Sequence, residues 1–154
     1  MKKLTAACMT ACLTFSGFAM AETAPDDAIK YRKNLMNSLK TSVNAMIAVT
    51  KGEVDQQDSL PELAAIFAAA ANSKVTTGAF EQNTDGKGSE KTTATAEVWA
   101  EWDDFAGAFT KLSKAANDIQ ALADAGELNS FDQIKPALGQ CGYCHRKAGF
   151  RTKQ

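Results

Sequence analysis

Histidine is nearly absent from this chain: His145 is the only one in 154 residues. A single imidazole excludes bis-histidine ligation of a metal. Cysteine is also scarce, with four in all, Cys8, Cys12, Cys141 and Cys144. That is too few for a disulfide scaffold. No stretch alternates apolar and polar residues in the manner of a strand, so a sheet is not expected. Acidic residues outnumber basic ones, 18 to 17, which argues against nucleic-acid binding, an activity that requires a clustered basic face. No second histidine, convergent carboxylate pair or nucleophile arrangement is visible, so an enzyme is not expected.

The N-terminus reads as an export signal. Met1-Lys2-Lys3 is a basic start, "LTAACMTACLTFSGFAM" is uncharged, and Ala19-Met20-Ala21 fits a cleavage site. The expectation is a secretory signal peptide over residues 1–21 and a mature domain over 22–154. The leader is short and rich in Ala and Thr, and no second apolar span follows, so no membrane span is expected in the mature chain. Removing it takes Cys8 and Cys12 and leaves Cys141 and Cys144. It also takes Lys2 and Lys3, which lowers the basic residues from 17 to 15 against 18 acidic ones and moves the formal net charge from -1 to -3. Export puts the cysteine pair in an oxidising compartment, where it oxidises unless something else holds it.

The remaining pattern is helical. Ile29, Met36, Leu39, Val43, Met46 and Ile47 recur at helical steps between Pro25 and Lys51, and Gly52 is a stop. A second helix is expected from Ser59, with Glu62 completing a capping box and Leu63, Ile66, Phe67, Ala70 and Ala71 as its apolar stripe. "EQNTDGKGSEKTTAT" reads as a loop, long enough to be ordered over another part of the fold. Val98, Trp102, Phe105, Phe109, Leu112, Ala116 and Ile119 then step by four and three, the seam of a near-parallel bundle helix ended by Gly126. A fourth helix is expected from Ser130, with Gln133 completing a second capping box and Pro136 just inside. The expected fold is all-α, an antiparallel four-helix bundle.

The last helix holds the chemistry. Cys141-Gly142-Tyr143-Cys144-His145 fits C-x-x-C-H, the attachment signature of c-type haem. On a helix, positions i, i+3 and i+4 share a face. Cys141 and Cys144 can therefore both reach one porphyrin, and His145 can point at its iron from the same side. A thioredoxin-like C-x-x-C follows a strand and opens a helix, and this one closes a helix with no strand in view. A zinc site needs a fourth ligand, and no other Cys or His lies beyond the leader. A disulfide between helical residues three apart has poor geometry. One covalent haem c, with its iron on His145, is the expected cofactor.

The chain resembles the class II c-type cytochromes, the cytochrome c prime family, including its low-spin, methionine-ligated members. "DDAIKYRKNLM" and "KGE" resemble the family's first helix, "TATAEVW" its entry to the third helix, and "DAGELNSFDQIKPALGQCGYCH" its approach to the haem. The resemblance implies a haem inside the bundle, a periplasmic location, redox partner proteins there and a homodimer paired through helices. Met46 lies roughly 15 Å along the helix from Met36, so one iron takes at most one of them. The far side of the iron is left to Met36, Met46, a lysine or no protein ligand. The resemblance puts Met36 at the distal position, which implies an electron carrier ligated by His145 and Met36. The alternative is a five-coordinate protein that binds nitric oxide or carbon monoxide at an open distal face. The resemblance also implies that Arg32, one turn before Met36, approaches a haem propionate; the alternative is a solvated surface charge. Trp99, Trp102 and Phe105 are candidate pocket walls, and Tyr143 a candidate for the haem edge. The chain departs from the family at one point: four residues, Arg146 to Gly149, separate His145 from Phe150-Arg151 where two are usual.

Overall fold

A computed structural model describes residues 23–152. The expected leader, residues 1–21, lies outside them. Helix α1 (Pro25–Thr50) has Pro25 in its tolerant first turn, with Asp26 and Asp27 beside the partial positive charge of the helix start. Gly52 follows with φ of 73°, the left-handed stop expected there.

Helix α2 (Leu60–Ala70) starts differently from the sequence reading. Ser59 closes a 3-10 turn (Gln57–Ser59), makes no side-chain cap, and donates its hydroxyl to Gln56 O at 2.7 Å. Its buried face is also rotated from the expected stripe. Leu60, Ala64, Phe67, Ala68 and Ala71 are buried, while Ile66 is 53% exposed. An alanine-rich helix carries apolar side chains all round, so periodicity alone does not choose its inner face. A short α3 (Ser73–Gly78) follows, unforeseen in the sequence. Asn72 caps it, its Oδ1 accepting from Lys74 N at 3.0 Å and Val75 N at 3.4 Å.

The third bundle helix is broken near its start. Val98 sits on the single turn α4 (Glu97–Ala100), Glu101 leaves the helical region at φ −113° and ψ 48°, and α5 (Trp102–Asp124) carries the rest of the seam. Phe105, Phe109, Leu112, Ala116 and Ile119 are buried as expected, and Trp102 is half-buried. The Ser130–Gln133 capping box is present, but it opens a 3-10 turn (Phe131–Gln133) ahead of α6 (Lys135–Gly142). Pro136 therefore falls in the first turn of α6, where its missing N–H costs no hydrogen bond. Helix α6 passes directly into a π-helical turn, Tyr143–Lys147, with Ala148 N donating to Tyr143 O at 3.0 Å.

Helix α1 packs on α2, α2 on α5 and α5 on α6, which completes an antiparallel four-helix bundle. Its core includes Met46, Phe67 and Ile134, none of which has exposed surface. No helix among the described residues is long and apolar enough to cross a membrane. Strand pairing among the described residues is limited to one isolated bridge, Ala94 with Arg151.

The polar loop is held at its middle and at its far end. Asp26 Oδ1 accepts from Ser89 N at 2.6 Å and Glu90 N at 2.8 Å, and its Oδ2 accepts from the Ser89 hydroxyl at 2.8 Å. Those bonds, Glu90 N first, hold the Asp26 carboxyl below the usual carboxylate range. Gly88 makes the approach possible: its φ is 79°, and a Cβ there would lie 2.2 Å from Asp26 Oδ1. At the far end the loop meets the chain terminus. Thr95 N donates to Phe150 O at 3.2 Å, Thr95 Oγ1 to Gly149 O at 2.7 Å, and Thr152 N to Thr93 O at 2.9 Å.

Met46 belongs to this core and does not line the cavity described below. Met46→Ala is expected to destabilise the protein by about 2–5 kcal/mol in denaturant unfolding, and Met46→Leu by less than about 1.5 kcal/mol. Neither should alter a haem spectrum. A spectral change in Met46→Leu would contradict its assignment to packing.

Candidate haem site

The end of α6 and its π turn form one wall of a cavity of about 760 Å³. That volume lies within the roughly 300–1,000 Å³ usual for small-molecule and cofactor sites. Cys141, Cys144 and His145 all line it. The facing walls come from α1 (Ile29, Met36, Leu39 and Val43) and α5 (Phe105, Ala108, Phe109 and Leu112). Apolar side chains from two bundle helices thus face three residues able to bond a metallo-porphyrin. A second cavity of about 780 Å³ lies against the motif, bordered by Cys141, His145, Arg146 and Arg151.

Cys141 and Cys144 are free thiols, each half-buried. Burial pushes both thiol pKa values up, that of Cys144 to about 11, with Cys141 and Asp104 adding to the rise at Cys144. Both therefore stay protonated at neutral pH, which suppresses thiolate-driven exchange. His145 lies on the wall that the two cavities share, part of its surface open and part covered by that wall. Burial first, then the Arg151 and Arg146 guanidinium groups, holds it below the usual imidazole value. The neutral ring keeps a lone pair for a metal. Among the described residues no group of three His, Cys, Asp or Glu side chains is placed to hold a bare metal ion, so the zinc alternative has no support.

Arg32 is not a solvated charge. It is 3% exposed, lies over Phe80 and Trp99 with ring-centroid distances of 5.1 Å and 5.6 Å, and donates to Thr84 Oγ1 and to Gln82 O. No carboxylate pairs with it among the described residues, and burial depresses its pKa. A buried cation without an anion carries an unmet electrostatic demand. Arg32 lines the cavity, so an anionic group there would meet it.

The aromatic candidates divide. Phe105 lines the cavity; Trp99 instead supports Arg32 and donates Nε1–H to Phe80 O at 2.7 Å; Trp102 packs on Phe105 at 5.8 Å. The Tyr143 hydroxyl donates to Asp104 at 2.5 Å and does not line either cavity. The sequence reading missed Phe80, Thr93 and Lys91, which reach the cavity from irregular chain. Loop residues carry no periodicity to reveal them.

The four-residue gap after His145 has a structural answer. The π turn uses up extra chain, Gly149 reverses it at φ 73°, and the bridge to Ala94 fixes Arg151. Arg151 Nη1 ends 3.5 Å from His145 Nδ1, at the outer edge of hydrogen-bonding range.

A family model described as Cytochrome C' matches residues 27–151. The chain belongs to the cytochrome c prime family. It is a mono-haem c-type cytochrome. A cytochrome c' of Pararhodospirillum photometricum is 29% identical over 123 residues, covering 79% of this chain and 95% of that one. A cytochrome c-556 of Agrobacterium fabrum is 27% identical over 148 residues, 95% of this chain and 93% of that one. The crystal structure of cytochrome c' from Thermochromatium tepidum superposes with a TM-score of 0.74 at 26% identity, covering 86% of this chain and all of that one. The bundle and covalent cofactor expected from the sequence thus agree with the family. The donor set fits that cofactor: two thiols and a neutral imidazole share one wall of a cavity, with an apolar surround and a buried cation.

Gly149 has open space where a Cβ would sit, so substitution there tests backbone conformation alone. Gly149→Ala should lose about 1–2 kcal/mol in denaturant unfolding. It should also lower hydrogen-exchange protection at Thr95 and Thr152, whose amides bind across the bridge. Unchanged stability and protection would contradict a tail strapped to the loop.

Proposed function

We propose that this cytochrome holds its haem through Cys141 and Cys144, with His145 as the proximal ligand, and binds a small gas such as nitric oxide or carbon monoxide on the opposite face. The haem, when bound, supplies one redox-active iron with a coordination position available to a diatomic ligand. The observation that carries the reading is the composition of the facing wall. Ile29, Leu39 and Val43 of α1 and Phe109 and Leu112 of α5 present hydrocarbon to it, an environment that admits an uncharged diatomic and disfavours water. Met36 stands on that wall, half-buried and packed on the core, and acts as one more apolar side chain. Membership of a family named for cytochrome c' supports this reading over methionine ligation. Arg32 is assigned to a haem propionate, on its burial and its lack of a carboxylate partner. Residues 1–21 are assigned to export, and the holo-protein to the periplasm.

Electron transfer through an iron bonded to His145 and Met36 is the second reading. One observation favours it: of the two methionines among residues 23–152, Met36 lines the cavity with His145 and Met46 does not. A thioether ligand raises the potential of a c-type haem.

The two readings part on spin state. The ferric protein at neutral pH should give a high-spin, five-coordinate absorption and EPR spectrum. The ferrous form should take up carbon monoxide without displacing a ligand, and Met36→Ala should keep the high-spin spectrum. A low-spin wild-type spectrum that turns high-spin in Met36→Ala would establish the second reading instead.

A further inference from the structure

The second cavity, of about 780 Å³, shares His145 and Arg151 with the first and adds Gly142, Arg146 and Thr152, with no Asp or Glu on its border. Its polar groups are donors. His145 turns Nδ1 toward Arg151 Nη1 at 3.5 Å. With Nε2 given to an iron, the ring proton sits on Nδ1, and two donors then face each other. A metal-bound imidazole ordinarily gives that second N–H to a carboxylate, a carbonyl or a water. Among the described residues its neighbour in hydrogen-bonding range is Arg151, which accepts nothing.

Both guanidinium groups are held in place. Arg151 is half-buried, its backbone is bridged to Ala94, and its Nε donates to Thr93 Oγ1 at 3.2 Å. Arg146 is exposed but folds back over Gly142, where a Cβ would clash with its Nη2 and lie 3.3 Å from its Cζ. No ion pair among the described residues engages either arginine. The haem's own carboxylates do not account for the pair. They belong to the half of the porphyrin opposite its two thioether bonds, and Arg32 is assigned to them.

We propose that Arg146, Arg151 and the His145 Nδ1–H form a binding site for a small oxyanion of the phosphate type, and that its occupation lowers the reduction potential of the haem. The inference rests on the haem reading above and goes beyond it, because it gives the His145 side of the cofactor a ligand of its own. A phosphate oxygen accepts from Nδ1–H, and the others take the planar forks of the two guanidinium groups. The anion thus stands between three donors that otherwise oppose one another. Ferric haem carries one more positive charge than ferrous haem, so an anion beside the iron's imidazole favours the ferric state. By linkage, the ferric protein binds the anion more tightly in the same proportion.

The test separates binding from its effect on the iron. Haem-loaded full-length protein in phosphate-free buffer at neutral pH is titrated with sodium phosphate by calorimetry, and its midpoint potential is followed optically over the same series. Sodium chloride at matched ionic strength is the control. Phosphate should bind the ferric protein with a dissociation constant on the order of 1 mM. At saturation it should lower the midpoint potential by about 28 mV, which is a threefold preference for the ferric state at about 59 mV per tenfold. Arg146→Gln should weaken phosphate binding about tenfold. Gly142→Ala should weaken it as well, because the added Cβ displaces the Arg146 guanidinium while keeping its charge. Equal responses to phosphate and to chloride would overturn the proposal, as would wild-type phosphate affinity in Arg146→Gln. Phosphate binding with no shift of the potential would overturn the coupling to the iron. A response to phosphatidylglycerol vesicles and none to inorganic phosphate would assign the oxyanion to a lipid headgroup and overturn the free anion. A preparation with no haem absorption would instead mark failure of the underlying haem reading, whatever its calorimetry shows.

Discussion

Everything in this molecule follows from putting two cysteines and a histidine, all within five residues, on one wall of an apolar cavity. A short segment can present three side chains to a common target only if its backbone winds them to the same side, and the end of α6 with its π turn does so. The opposite walls must then come from elsewhere, and α1 and α5 supply them with hydrocarbon. That arrangement desolvates the motif, which holds the His145 ring neutral and the thiols protonated. The bundle is thus both scaffold and chemical environment.

The charged groups divide by burial. Arg32 lies in the wall, stacked on Phe80 and Trp99 and bonded to Thr84 and Gln82, with no carboxylate beside it among the described residues. Arg151 reaches His145 because the loop after α3 and the chain end are bridged at Ala94 and Thr95. The same loop is pinned to the start of α1 by Asp26. One irregular segment therefore ties the first helix to the last, across the cavity that both border.

Much of this was legible in the sequence, and the exceptions have physical causes. The seam of α5 stands out because Phe105, Phe109, Leu112, Ala116 and Ile119 all bury as a heptad pattern requires. The motif was legible because its spacing encodes its geometry, and Gly52 because a left-handed residue ends a helix. The inner face of α2 was not, since alanine marks no side, and Ile66 turned outward. The Ser59 cap failed because a preceding 3-10 turn already used that residue. Trp99 looked like a pocket wall and proved to be a support for Arg32. The placement of Arg151 beside His145 depends on a π turn and a two-residue bridge, neither of which has a local sequence signal.

The central claim is that Cys141, Cys144 and His145 exist to hold one haem covalently. The most direct test is the intact mass of the purified protein, measured for the wild type and for a variant with serine at both Cys141 and Cys144. The account predicts a wild-type mass of chain plus one haem that survives acid-acetone extraction, and a double variant with the mass of chain alone. A wild-type protein with the mass of the bare chain and two titratable thiols would contradict it.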